Sequence, residues 1–203
     1  MQVLACHNEM IYNPRVPRRF MLACLRPAAE GGESLIMRNT DQHRHVPPAL
    51  VREVRERGGV LYVRSYACAN NRDAAPSFLP TWQERCGCTN RASAERFWRK
   101  LGFTDIVWRE DGGLDVRNVT SGFDANGVWS NIVISGMSLA ADGAPFNKEL
   151  LAEAYAESWR GCFGFRMQAG DVLVLDNLAV QHGRLPYVDT PDAPRSLLTV
   201  LFE

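Results

Sequence analysis

Gly170-Asp171-Val172-Leu173-Val174-Leu175-Asp176-Asn177-Leu178-Ala179-Val180-Gln181-His182 is the stretch whose reading decides the fold. Its apolar run of Val and Leu is only four residues long and is bounded by Gly-Asp and Asp-Asn. This is the length and punctuation of a strand rather than of a helix. It reads as two strands, Asp171 to Asp176 and Ala179 to His182, joined by a tight Asp-Asn turn, with an imidazole in the second.

Working outward, similar short segments recur at Arg19 to Leu25, Ser34 to Arg38, Val60 to Arg64, Ile106 to Arg109, Leu114 to Arg117, Val128 to Ile134, Phe163 to Met167 and Ser196 to Phe202. Three segments keep a helical period instead. Pro48 to Arg57 opens on prolines and closes on Gly58-Gly59, while Arg91 to Leu101 and Lys148 to Trp159 follow the candidate caps Asn90 and Asn147. Many short strands with a few helices predict a mainly β sandwich or jelly-roll barrel, not alternating βαβ units. No repeat or linker divides residues 1–203, so a single domain is expected.

The 203 residues carry 23 basic and 23 acidic side chains. Zero formal charge gives no long-range pull toward nucleic acid or an anionic membrane. The longest stretch without a charge, Ala125 to Ala141, is interrupted by Asn, Ser and Gly and lacks the apolar length of a membrane helix. Met1 to Cys6 do not make a signal peptide, so a cytoplasmic protein is expected, with its six cysteines reduced.

The chemistry begins at His7-Asn8-Glu9. On an extended segment residues two apart point the same way, so His7 and Glu9 can present an imidazole and a carboxylate to one metal ion. His182 is a third ligand of suitable type. Two histidines and one carboxylate are the facial triad of non-haem Fe(II) oxygenases, which leaves three coordination positions open. An H-x-E alone is more often just a surface loop.

A wider set of motifs adds to this reading: His7-Asn8-Glu9-Met10, Leu25 to Ser34, Tyr62-Val63-Arg64-Ser65-Tyr66, Thr81-Trp82-Gln83-Glu84, Val128-Trp129-Ser130-Asn131, and Gly170 to Asn177 running into His182-Gly183-Arg184. In these the chain resembles the TauD/TfdA (taurine dioxygenase-like) family of Fe(II)/2-oxoglutarate-dependent oxygenases, in its SyrP-like branch from natural-product pathways. The resemblance implies a double-stranded β-helix of the clavaminate synthase-like kind and a dioxygenase. The cofactors implied are Fe(II), 2-oxoglutarate and O2, with His7, Glu9 and His182 as metal ligands. It implies Arg195 for the distal carboxylate of 2-oxoglutarate, with Arg184 as the nearby substitute because the loop Val188 to Ala193 is lengthened. Ser34, standing where the family more often has threonine, shares that carboxylate. Asn131 and Arg184 are candidate substrate contacts, and each reads as readily as a brace within the barrel.

The implied substrate is a small molecule, an amino acid or natural-product intermediate. Hydroxylation is the default outcome; desaturation, epoxidation or cyclisation would use the same ligands. Halogenation is not expected, because Glu9 occupies the position that halogenating relatives leave open. Only Met1 to Cys6 precede His7, so the domain is expected to be N-terminally short. The alternative reading is a non-catalytic or half-enzyme subunit completed by a partner chain or by a second copy. His43 and His45 with Cys86 and Cys88 are discounted as a zinc site, because their spacing matches no zinc module. The five tryptophans read as core or as a wall of the substrate site.

Overall fold

The computed structural model describes residues 3–74, 80–130, 138–190 and 192–202. Along the chain run β1 (Leu4–His7), β2 (Arg19–Arg26), β3 (Glu30–Gly31), β4 (Ser34–Arg38), α1 (Asn39–His43), α2 (Pro48–Glu56), β5 (Val60–Tyr66), α3 (Trp82–Cys86) and α4 (Arg91–Lys100). They are followed by β6 (Asp105–Trp108), β7 (Leu114–Thr120), β8 (Ser138–Ala140), α5 (Lys148–Ser158), β9 (Phe163–Phe165), β10 (Val172–Asp176), β11 (Val180–Arg184), β12 (Tyr187–Val188) and β13 (Ser196–Phe202).

The strands form a mainly β jelly roll. One sheet has the order β1-β11-β4-β9 and the other the order β10-β2-β13. The decisive stretch contributes one strand to each: β10 pairs with β2, β11 pairs with β4 and β1, and the chain changes sheet at Asp176-Asn177. The Asp-Asn turn is therefore a corner of the roll. It is closed by Leu178 N–H donating to the Asp176 carboxylate at 3.0 Å and Ala179 N–H donating to the Asp176 carbonyl at 3.1 Å. The sheets meet where Phe20 of β2 stacks on His182 of β11, ring centroids 3.9 Å apart.

Strand alternation assigns the faces of the first sheet. The register pairs His7 with His182, His182 with Ile36, and Arg184 with Ser34, so these residues share the inner face. Cys6, Leu35 and Met37 take the outer face, covered by Trp159 and Leu185. Gly183 is the point at which β1 crosses: a Cβ built there would lie 2.6 Å from the Leu4 carbonyl oxygen and 3.0 Å from the Cys6 nitrogen. On the second sheet the outward rows bring exposed Val172, Val174, Leu198 and Phe202 to the surface.

A third sheet, β6-β7-β5-β8, carries the helices. Leu50 and Val54 of α2 pack on Val60 and Tyr62, while Ala94 and Trp98 of α4 pack on Tyr66, Leu114 and Val116. Helix α4 starts where Asn90 accepts a hydrogen bond from Ser93 N–H, and α5 where Asn147 accepts one from Leu150 N–H, as the two caps predict.

Two helices lie outside the three periodic segments. Residues 39–43 form α1, with Asn39 and Gln42 burying their amides in a hydrogen-bonded network instead of facing water. Helix α3 carries a full capping box between Thr81 and Glu84. Cys86 and Cys88 are joined in a disulfide rather than reduced, across Gly87 in a left-handed conformation at φ 60°. The strand expected at Val128 to Ile134 lies mostly outside the described residues; within them Trp129 makes an isolated bridge to Phe123.

Candidate active site

The antiparallel register of β1 and β11 sets His7 directly opposite His182, with ring centroids 4.5 Å apart. Glu9 reaches them from a turn, not from the extended segment that the spacing suggested. Strand β1 ends at His7, Glu9 lies in the turn that follows, and Met10 after it has a left-handed φ of 54°. One carboxylate oxygen, Oε2, lies 3.7 Å from His7 Nε2 and 3.5 Å from His182 Nε2. Ligand atoms of the three residues all fall within 4.8 Å of one another, the only such group among the described residues.

The electrostatics follow from a carboxylate shared by two imidazoles. Hydrogen bonding to His182 and then to His7 holds the Glu9 carboxyl far below its usual range, against the opposing effect of burial. For His7, burial opposes the cation, but the bonds to Glu9 and to the Ala5 carbonyl outweigh it and raise the pKa. For His182 burial, joined by the neighbouring His7 charge, outweighs the bond to Glu9, and its pKa is lowered. His7 Nδ1 lies 2.9 Å from the Ala5 carbonyl oxygen; as a donor there it leaves the Nε2 lone pair directed at the cluster. These are the chemistry and tautomer that a divalent metal needs, so the donor set fits Fe(II).

The loop that carries Glu9 is held by amides that the sequence reading did not single out. Asn177, with no exposed surface, accepts from Glu9 N–H at 2.7 Å and donates to the Glu9 carbonyl at 3.0 Å and the Pro17 carbonyl at 2.7 Å. Asn8 turns away from the cluster and donates to the Asn177 carbonyl at 2.7 Å and to Asn39 Oδ1 at 3.3 Å. Gln181 donates to Asn39 Oδ1 and Gln42 Oε1, completing a network behind the ligands. The signal for it lay in amide side chains set directly beside the ligands, Asn8 between His7 and Glu9 and Gln181 before His182 at the end of an apolar run.

Ser34 and Arg184 face each other across β4 and β11, on the face that carries His182. Ser34 is 3% exposed, and its hydroxyl has no hydrogen-bond partner within the described protein. Arg184 and Arg195 both lie over the ring of Tyr187, at 4.6 and 5.3 Å from its centroid. Burial, then the nearby Arg184 cation, pushes the Arg195 guanidinium below its ordinary pKa. The loop before Arg195 is held by Asp189, which accepts from Arg195 N–H at 2.9 Å. Gly32, at φ 73°, lies beneath: a Cβ there would be 3.1 Å from Tyr187 Cβ and 3.6 Å from Arg195 Nε. An orphan buried hydroxyl beside two crowded guanidiniums suits a bound carboxylate, and the residues present fit 2-oxoglutarate.

Other sequence candidates fall elsewhere. Asn131 lies outside the described residues. His43 sits in α1, where its Nδ1 accepts from Trp129 N–H at 3.2 Å. Trp82, Trp98 and Trp129 are core residues.

This architecture, a jelly roll with two histidines and a carboxylate clustered between its sheets, is that of the Fe(II)/2-oxoglutarate oxygenase fold class. The sequence profile of the "Taurine catabolism dioxygenase TauD, TfdA family" matches residues 2–201, and the chain belongs to this family. It is 25% identical to a clavaminate synthase-like protein of Arabidopsis thaliana and 23% identical to the dapdiamide synthesis protein DdaC of Enterobacter agglomerans. These alignments cover 98% and 92% of this chain but 65% and 62% of the relatives, so the chain spans less than two thirds of their length. Among solved structures, non-heme iron oxygenase OrfP in complex with Fe, succinate and (3R,4R)-dihydroxy-L-Arg superposes with a TM-score of 0.56 at 16% identity. Asparagine oxygenase in complex with Fe(II), 2S,3S-3-hydroxyasparagine and succinate does so at 0.54 and 14%. They cover 100% and 99% of this chain, and 52% and 50% of their own. At these identities the likeness establishes the shared fold.

Proposed function

We propose that the protein is an Fe(II)- and 2-oxoglutarate-dependent dioxygenase that hydroxylates, or otherwise oxidises, an unactivated C–H bond of a small molecule. The observation that carries this reading is the convergence of His7 Nε2, Glu9 Oε2 and His182 Nε2 on the inner face of the roll. His7, Glu9 and His182 would hold the metal, with Ser34 and Arg195 on the distal carboxylate of 2-oxoglutarate and Arg184 beside them. Bound there, the iron with 2-oxoglutarate and O2 supplies the oxidation, releasing succinate and CO2 as the substrate C–H bond is oxidised.

The protein's own part is placement and enclosure. Phe20 caps the His182 ring and keeps water from that side of the cluster. The Asn177 clamp sets the position of the Glu9 carboxylate, and the pair Arg184 and Arg195 orients the co-substrate by charge. An amino acid or natural-product intermediate is the substrate class that the relatives' descriptions support, with hydroxylated arginine and hydroxyasparagine in the solved complexes and dapdiamide synthesis for DdaC. No described helix is long and apolar enough to cross a membrane, and the proposed site is one for a small soluble ligand.

The test is 2-oxoglutarate-dependent succinate release by the full chain reconstituted with Fe(II) under O2, read with and without amino-acid substrates. Succinate formation that requires Fe(II) and is lost in Arg195→Ala supports the reading. Loss in Arg184→Ala with Arg195→Ala unaffected would move the carboxylate site to the other arginine. No succinate above the metal-free control would overturn the assignment.

A further inference from the structure

Cys6 and Cys162 are 156 residues apart along the chain, yet their sulfurs lie 3.4 Å from each other. Both positions follow from the first sheet. Cys6 is on β1, one residue before His7, and strand alternation sends its side chain to the outer face when the imidazole takes the inner one. Cys162 follows the short 3-10 turn Trp159–Gly161, which leads from α5 to β9 and packs on that outer face. Its N–H donates to the Trp159 carbonyl at 3.2 Å and its thiol to the Ser158 carbonyl at 3.6 Å, which fixes the sulfur beside that of Cys6. The turn presses closely on the sheet, since a Cβ on Gly161 would lie 3.1 Å from the Met37 sulfur. Cys6 is 5% exposed, whereas Cys162 is partly open to solvent. Strand β1 itself has four residues and lies at the edge of its sheet, paired among the described residues to β11.

We propose that Cys6 and Cys162 are an oxidation site, which hydrogen peroxide converts to a disulfide that staples β1 to the turn after α5. The inference stands apart from the oxygenase reading. Cys162, the more open sulfur, attacks one peroxide oxygen; the O–O bond breaks, the departing hydroxide leaves with the thiol proton as water, and Cys162 carries a sulfenic acid. The Cys6 sulfur then attacks the Cys162 sulfur, the S–O bond breaks, and the hydroxyl leaves with the Cys6 proton as a second water. Two thiols and one peroxide become one disulfide and two waters, with two electrons passing from the sulfurs to the peroxide. A disulfide bond of about 2.05 Å asks the sulfurs to close by a little over an ångström from their 3.4 Å contact. An edge strand and a short turn can supply that movement. The bond would close a loop spanning 156 residues, so it restrains the open chain strongly, and it does so at the strand that carries His7.

The experiment uses the full chain, reduced and then freed of reductant, and treated with hydrogen peroxide in slight excess with a chelator present. Remaining thiols are alkylated, the peptides are mapped by mass, and backbone hydrogen exchange is followed before and after oxidation. The expected result is a peptide pair joined through Cys6 and Cys162, with the amides of β1 exchanging more slowly by about tenfold or more in the oxidised chain. Added reductant reverses both effects. Cys162→Ser shows neither, while Cys68→Ser, which leaves the pair intact, shows both. The proposal is overturned if Cys6 and Cys162 stay open to alkylation, if Cys162 passes on to sulfinic acid without joining Cys6, or if Cys6 joins Cys24 or Cys68 as readily as Cys162. A Cys6–Cys162 link that leaves exchange in β1 unchanged overturns the staple. The wild-type map alone decides the pairing, whichever variants fold.

Discussion

Asn177 grips Glu9 by both of its backbone polar groups, accepting from the N–H at 2.7 Å and donating to the carbonyl at 3.0 Å. A side chain thereby stands in for a strand partner at the point where β1 has ended, and it comes from the corner that joins β10 to β11. The distance along the chain is 168 residues, so one amide ties the ligand loop to the strand that carries the other histidine.

Asn177→Ala is therefore expected to act on the carboxylate ligand as well as on stability. It leaves the Glu9 N–H and the Glu9 and Pro17 carbonyls without their partner, at about 1 to 3 kcal/mol for each group that water cannot reach. Asn177→Asp sets a carboxylate against the Glu9 and Pro17 carbonyl oxygens in a fully buried place, so it should destabilise at least as much as the alanine variant at neutral pH. Both variants should weaken Fe(II) binding, measured by anaerobic titration at a temperature where each remains folded. Unchanged affinity would reduce Asn177 to a purely structural corner residue.

Gly183 makes a second prediction, because β1 crosses it too closely for any side chain. The atoms that an added Cβ would meet are the backbone of Leu4 and Cys6, which can yield only if β1 moves. Gly183→Ala should lower stability by about 1 to 3 kcal/mol and displace His7 from its place opposite His182. Chemical denaturation gives the first effect and metal affinity the second. A stable variant with wild-type affinity would show that the crossing is not tight.

Acid sensitivity should have a component far from the site. Arg57 binds the Asp142 carboxylate at 2.6 and 2.9 Å and Glu53 at 2.8 Å, tying α2 to the loop before α5. The Arg57 bond, then the Ala144 N–H, lowers the Asp142 pKa from 3.8 to about 2. A depressed folded pKa contributes stability that is complete above the unfolded value and lost as pH falls through the folded one, so this component should vanish between about pH 4 and pH 2. Urea midpoints of the wild type and Arg57→Gln should differ near neutrality and converge across that window. A gap that stays constant down to pH 2 would contradict the assignment.

Much of this was legible before any coordinates. Val172 to Leu175 and the Asn90 and Asn147 caps are local signals, and the elements built from them stand close to where the spacing puts them. What escaped was set by tertiary choices. Glu9 lies on a turn because Asn177 replaces a ladder partner, which no two-residue periodicity can reveal. Residues 39–43 look like loop because their polarity serves a buried amide network rather than solvent. The α3 capping box was readable in Thr81-Trp82-Gln83-Glu84, and only the shortness of the segment hid it. The Cys86–Cys88 pairing runs against a rule drawn from overall cysteine density, which says nothing about two cysteines with a single residue between them.

The most direct measurement is an anaerobic Fe(II) titration of the chain with 2-oxoglutarate present, repeated on His7→Ala, Glu9→Ala and His182→Ala. The account predicts one equivalent of iron bound by the wild type and loss of tight binding in each variant, since every one removes a donor from a cluster drawn within 4.8 Å. One equivalent bound with unchanged affinity by Glu9→Ala or His7→Ala would contradict it.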